Sequence, residues 1–162
     1  MKFRYSRRCK AADAIYDLRS ASSCAASDTR HAFVNRQLTI TTDPIDEAAL
    51  LSKRRISDGM GAVLYFIGVV RGTEEQKPIG AIEYEAFQRM VERQFNLLFD
   101  QMEKRWPVES VRVVHRVGVV RVNEPSLWVE VVAPHRGEAF AAGQWIIDEM
   151  KRVVPIWKRP LA

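Results

Sequence analysis

Arg71, His135, Arg136, Lys151 and Lys158 are the side chains whose types and settings suit chemistry on an anion. His135 and Arg136 stand in VVAPHRGEAF, where a strand pattern ends and a helix pattern begins. A helix start offers unpaired N–H groups and a partial positive charge, and arginine grips phosphate through two parallel hydrogen bonds. The plainer alternative is a histidine that caps the strand end beside a solvated arginine. Arg71 directly follows the apolar run AVLYFIGVV, with Gly72 next to it. A charge just past a buried strand lines a pocket at the sheet's edge, or else simply opens a polar loop.

The stretch KRVVPIWK holds the two lysines, Lys151 and Lys158. Lys151 falls in the last turn of a predicted helix, where a cation gains about 0.3–1 kcal/mol from the helix dipole. Pro155 turns the chain there, so Lys158 can fold back towards Lys151, with Trp157 expected to anchor the return by packing. Two ammonium groups brought together, or partly desolvated, disfavour each other's charge. Such a pair can yield a neutral amine able to act as nucleophile or general base, and the plainer alternative is a solvated helix end.

These residues need a scaffold, and the chain is long enough for one. Its 162 residues, 47% apolar and 28% charged, suit one soluble domain with a proper core. No run approaches the roughly 20 apolar residues needed to cross a bilayer. The net charge of +5 is confined to residues 1–36, with eight Lys or Arg against three Asp or Glu, whereas residues 37–162 carry seventeen of each. The body therefore lacks the basic excess expected of a nucleic-acid-binding domain. A nucleic-acid binder using the basic arm alone would lose its binding when residues 1–36 are removed and weaken steeply with salt.

Cys9 and Cys24 also lie in the arm, so residues 37–162 contain no cysteine nucleophile, thiolate metal site or disulfide. With only His31, His115 and His135 in the chain, no metal and no cofactor are expected, and the expected setting is reducing and cytoplasmic. Residues 1–36 read as a poorly structured basic extension. Asp13, Asp17 and Asp28 speak against a transit peptide, and no apolar core of a secretion signal is present.

From Gln37 the patterns sharpen into a single domain, 37–162. LTITT predicts a strand, and DPIDEAALLSKRR a helix with Asp43 as N-cap and Pro44 at the first helical position. AVLYFIGVV predicts a buried strand, RGTEEQKPIG a loop, and IEYEAF a half-buried strand. Phe87, Val91, Phe95, Leu98, Met102 and Trp106 form one apolar helical stripe, predicted to be core, that Pro107 stops. VRVVHRVGVV and LWVEVVAP predict two strands around RVNEPS, and GEAFAAGQWIIDEMKRV a final helix broken at Val154 before Pro155. The order β-α-β-β-α-β-β-α predicts an α+β fold with a mixed or antiparallel sheet.

In these stretches the chain resembles the large, catalytic subunit of molybdopterin synthase, the MoaE family. The resemblance rests on GAVLYFIGVVRG (61–72), IEYEAF (82–87), RWPVESVRVVHRVG (105–118), APHRGEAFAAGQWIIDEMK (133–151) and PIWKR (155–159), and spans about residues 38–159. It implies an α/β hammerhead fold with a small additional β subdomain. It implies a homodimer with a small ubiquitin-like subunit docked at each end, a heterotetramer whose small subunits insert Gly-Gly tails bearing a C-terminal thiocarboxylate. The implied activity is sulfur transfer from those tails to cyclic pyranopterin monophosphate, which makes the molybdopterin dithiolene of the molybdenum cofactor.

The implied roles are Lys151 for the chemistry, Lys158 as its second active-site lysine, and Arg71, His135 and Arg136 for binding the substrate, in a pocket that one subunit forms alone or two subunits form together. A cysteine-free body fits a sulfur that arrives on a partner. One departure stands out. Family members continue past the second lysine with an acidic residue and a further segment, whereas here Pro160, Leu161 and Ala162 follow Arg159. The competing expectation is therefore a non-catalytic dimeric homologue that binds the small subunit without turnover.

Overall fold

The structure, a computed structural model, describes residues 35–162. Nearly all of the basic extension, with Cys9, Cys24 and His31, lies outside the described residues. Twelve elements follow in chain order: β1 (Asn35–Thr41), α1 (Glu47–Ser52), β2 (Ala62–Val69), β3 (Thr73–Glu74), β4 (Lys77–Pro78), β5 (Ala81–Ala86), α2 (Gln88–Arg105), β6 (Ser110–Arg116), β7 (Gly118–Arg121), β8 (Pro125–Ala133), α3 (Arg136–Val153) and β9 (Ile156–Leu161).

A four-stranded sheet runs β1-β6-β8-β2, with β1 and β6 parallel and the other pairs antiparallel. A smaller antiparallel sheet runs β7-β5-β9, and β3 with β4 forms a separate hairpin. The chain is thus α+β with a mixed main sheet and a small second β unit.

Helices α2 and α3 lay their apolar stripes on one face of the main sheet. Val91, Phe95, Leu98, Phe99 and Met102 of α2 and Ala142, Ile146 and Met150 of α3 meet Val111, Val113, Val129 and Val131 there. Gly143 lets α3 approach β2 closely, since a Cβ built on it would lie 2.0 Å from Leu64 Cδ2. The opposite face carries a buried ion pair, Arg112 Nε and Nη2 on the two Glu130 oxygens at 2.7 and 2.9 Å. Arg112 also donates to the Leu50 carbonyl at 2.9 Å and lies over the Trp128 ring. Its burial is offset by the two-pronged pairing with Glu130 and the bond to the Leu50 carbonyl.

Several local expectations are corrected. Helix α1 is capped by Asp46, whose carboxylate accepts from the Ala49 N–H at 3.0 Å, rather than by Asp43. The Asp43 N–H is already taken by Thr41 Oγ1, and the buried Ile45 packs with Leu50 as a staple across the cap. Phe87 is not core. It stands at the extended residue before α2, 57% exposed, and the buried stripe starts at Val91.

The run VRVVHRVGVV is two strands in two sheets, not one. Gly118 takes φ +78°, open to glycine without steric cost, and the chain leaves the main sheet there. RGTEEQKPIG contains the β3–β4 hairpin. Finally, PIWKRPLA is a strand, β9, paired with β5 from Ala86↔Ile156 to Ala81↔Leu161. Pro160 is tolerated because β9 is an edge strand with one partner.

Candidate active site

The C-terminal end of α3 closes one side of a cleft of about 670 Å³. The far end of β2, the β3 hairpin, β5, His115 of β6, the start of β8 and β9 supply the other walls. Its lining is apolar at Phe66, Leu127, Met150 and Val154, while Arg71, Glu74, Tyr84, His115, Lys151 and Lys158 supply polar groups.

Strand alternation explains why Lys158 faces this space. In β9 it pairs with Tyr84 of β5, and Ile82, on the same face two residues away, is buried with Val70 and Val120. Trp157 and Arg159 consequently point to the other face. Arg159 is bonded to Glu83, and Trp157 is 58% exposed. The return of the chain after Pro155 is therefore held by the β5–β9 ladder, not by packing of Trp157 as the sequence suggested.

Arg71, Lys151 and Lys158 line this one cleft. His135 and Arg136 do not. They are exposed at the opposite end of α3, where Arg136 is fifteen residue steps from Lys151, or about 22 Å of helix. No single chain can close all five residues around one small ligand.

Glu74, Tyr84 and His115 are cleft residues that the sequence reading did not select. Glu74 accepts a bond from Lys158 Nζ and lies 3.5 Å from the Arg71 guanidinium. The hydrogen bond from Lys158, then its charge, hold the Glu74 carboxyl below the usual carboxylate range. Within the cleft Lys158 is thus paired with a carboxylate. Glu74 sits in a polar loop sequence that carries no periodicity to expose its role.

His115 Nδ1 donates to the Arg116 carbonyl at 2.9 Å, which leaves the lone pair on Nε2. Burial pushes its pKa down, so the ring is neutral at pH 7. Tyr84 meets it edge-on, with centroids 5.4 Å apart. A histidine inside an otherwise apolar strand pattern was the available signal for this residue.

The family model described as MoaE protein matches residues 40–153. A relative from Thermoplasma volcanium, named molybdopterin synthase catalytic subunit, is 36% identical over 128 residues, covering 79% of this chain and 93% of its own. The chain belongs to the MoaE family.

The solved structure of molybdopterin synthase from Staphylococcus aureus superposes with a TM-score of 0.69 at 30% identity, over 76% of this chain and 89% of that one. A complex of subunits 1 and 2 of molybdopterin-converting factor from Helicobacter pylori shares the fold, with a TM-score of 0.65 at 21% identity over 76% of this chain and 83% of that one. The stretch matched as MoaE includes Arg71, His135, Arg136 and Lys151 and stops before Lys158. Among the described residues no helix is long and apolar enough to cross a membrane, and no group of three or more His, Cys, Asp or Glu is placed to hold a metal ion.

Proposed function

We propose that this MoaE protein is the catalytic subunit of a molybdopterin synthase, acting in the cytoplasm in molybdenum cofactor biosynthesis. It transfers sulfur from the C-terminal thiocarboxylate of a small ubiquitin-like subunit to cyclic pyranopterin monophosphate. The observation that carries this reading is the convergence of Arg71, Lys151 and Lys158 on one cleft at the end of α3. Both reactants are anionic, and three cationic side chains on an apolar floor suit them.

Moving sulfur from an acyl group to a carbon centre leaves the acyl carbon to be released by water as a carboxylate. Negative charge gathers on oxygen in that acyl step, and a positioned ammonium stabilises it. Lys151 is assigned to this role and to proton transfer. Lys158 and Arg71 hold an anionic group of the substrate or tail. His135 and Arg136 join the pocket from a second copy of the chain, because their own Lys151 is about 22 Å away along α3. That geometry supports a homodimer, and the need for an external sulfur supports the small subunit.

The test is reconstitution. Purified protein is mixed with thiocarboxylated small subunit and cyclic pyranopterin monophosphate, and molybdopterin is assayed with Lys151→Ala alongside. Product from the wild type alone supports the assignment. No product with the small subunit still bound makes the chain a binding scaffold instead.

A further inference from the structure

The cleft's cationic corner already holds an anion of the chain's own. Glu74 reaches Lys158 with one carboxylate oxygen and Arg71 with the other, and its side chain is 13% exposed where theirs are 54% and 78%. The carboxylate is thus the inner partner, with two outer cations folded over it.

The hairpin that carries Glu74 is lightly held. Only Thr73↔Pro78 and Glu74↔Lys77 pair across it, with Ile79 N–H bonded to the Gly72 carbonyl at 3.0 Å, and its strands join neither larger sheet. Its turn residues Glu75 and Gln76 take φ of 49° and 65°, left-handed values that cost a non-glycine residue energy. A two-stranded hairpin of this kind is marginal by itself and can shift without breaking a larger ladder.

We propose that Glu74 is an internal anion: its carboxylate occupies the subsite formed by Arg71 and Lys158 and gives way when an anionic ligand enters. The proposal rests on the functional reading above and adds a built-in competitor to it. The shared ligand chemistry is an anionic oxygen group, carried either by a phosphoester or by the C-terminal carboxylate of a Gly-Gly tail. While empty, the corner keeps its two cations ordered and neutralised, and an entering anion must outbid one tethered carboxylate. Adventitious anions are thereby bound less tightly.

Calorimetric titration of the full chain with inorganic phosphate, and separately with a peptide ending in Gly-Gly, tests this without turnover. Glu74→Gln is expected to tighten binding of at least one probe about three- to tenfold, the size set by losing exposed ion pairs. Glu75→Gln removes the same charge from the neighbouring turn position and is expected to stay within about twofold of wild type. Glu74→Asp, which keeps the charge but draws it back, is expected to fall between. The probe that gains affinity identifies which reactant the corner serves. Equal or weaker binding by Glu74→Gln overturns the displacement while leaving the anion pocket standing. Binding of neither probe to wild type or Glu74→Gln overturns the subsite, and the functional reading loses its anion pocket with it.

Discussion

The two ends of α3 offer opposite solutions to holding an anion. At the N-terminal end, His135 and Arg136 stand exposed beside backbone N–H groups, and the helix itself contributes positive potential. That end has the field but no enclosing walls within one chain. At the C-terminal end the helix field has the wrong sign for an anion, yet the cleft has walls, a floor and three cationic side chains. Arg71, Lys151 and Lys158 must overcome the carbonyl end of the helix before they attract anything. In the proposed reading, function therefore falls to side chains at one end and to backbone plus side chains at the other, and a rigid helix holds the two about 22 Å apart.

The largest expected effect tests the C-terminal end. Lys151→Ala should lower molybdopterin formation by at least about 100-fold, the usual scale for a lost proton-transfer group. Lys151 is exposed, so the thermal midpoint should barely move. Wild-type turnover in that variant would take Lys151 out of the chemistry.

Arg136→Ala examines the other end. Loss of a charged hydrogen bond to the pterin phosphate should raise its KM by about tenfold or more with a smaller change in kcat. At substrate levels near the wild-type KM, mixed dimers of Lys151→Ala with Arg136→Ala should turn over faster than either variant alone. Failure to do so would mean that the two ends do not meet across subunits.

Gly143→Ala sharpens the comparison at the middle of the helix. The added methyl collides with Leu64 and pries α3 off β2, at about 1–3 kcal/mol of stability. Thermal denaturation should report it, and an unchanged midpoint would show that Leu64 moves aside freely.

The smallest effect concerns His115 beneath the cleft. Burial lowers its folded pKa below the ordinary 6.5, so the unfolded chain takes up a proton that the folded chain refuses. Stability is full above about pH 6.5 and falls as the pH drops below it, by at most about 1.4 kcal/mol per unit. Urea unfolding at successive pH values should show a shallower acid-side decline in His115→Phe. Parallel declines would remove His115 from the pH response.

Both long helices were readable because their signals are local. The stripe from Val91 to Met102 and the stop at Pro107 depend on residues within a few turns of one another. Phe87 was misplaced because the spacing continues one turn beyond the helix, and only the extended backbone at that residue shows where it begins. Gly118 was visible as a glycine, but its positive φ, and with it the division of one apolar run between two sheets, was not. β9 escaped notice because Lys158, Arg159 and Pro160 have the composition of a loop. Its strand character comes from β5, 70 to 80 residues earlier in the chain.

The sequence by itself determined which residues are available for chemistry, the two helices that carry most of the core, and membership of the MoaE family. The first two follow from residue type and short-range periodicity, which need no knowledge of the rest of the chain, and the family from the likeness of whole stretches to MoaE proteins. Tertiary structure alone decided that Lys158 turns inwards while Trp157 turns out, that Glu74 lies between Lys158 and Arg71, and that His135 and Arg136 are carried away from Lys151. Each depends on strand pairing or helix length in space. A one-residue change of register in β9 would reverse the first of them while leaving the composition untouched.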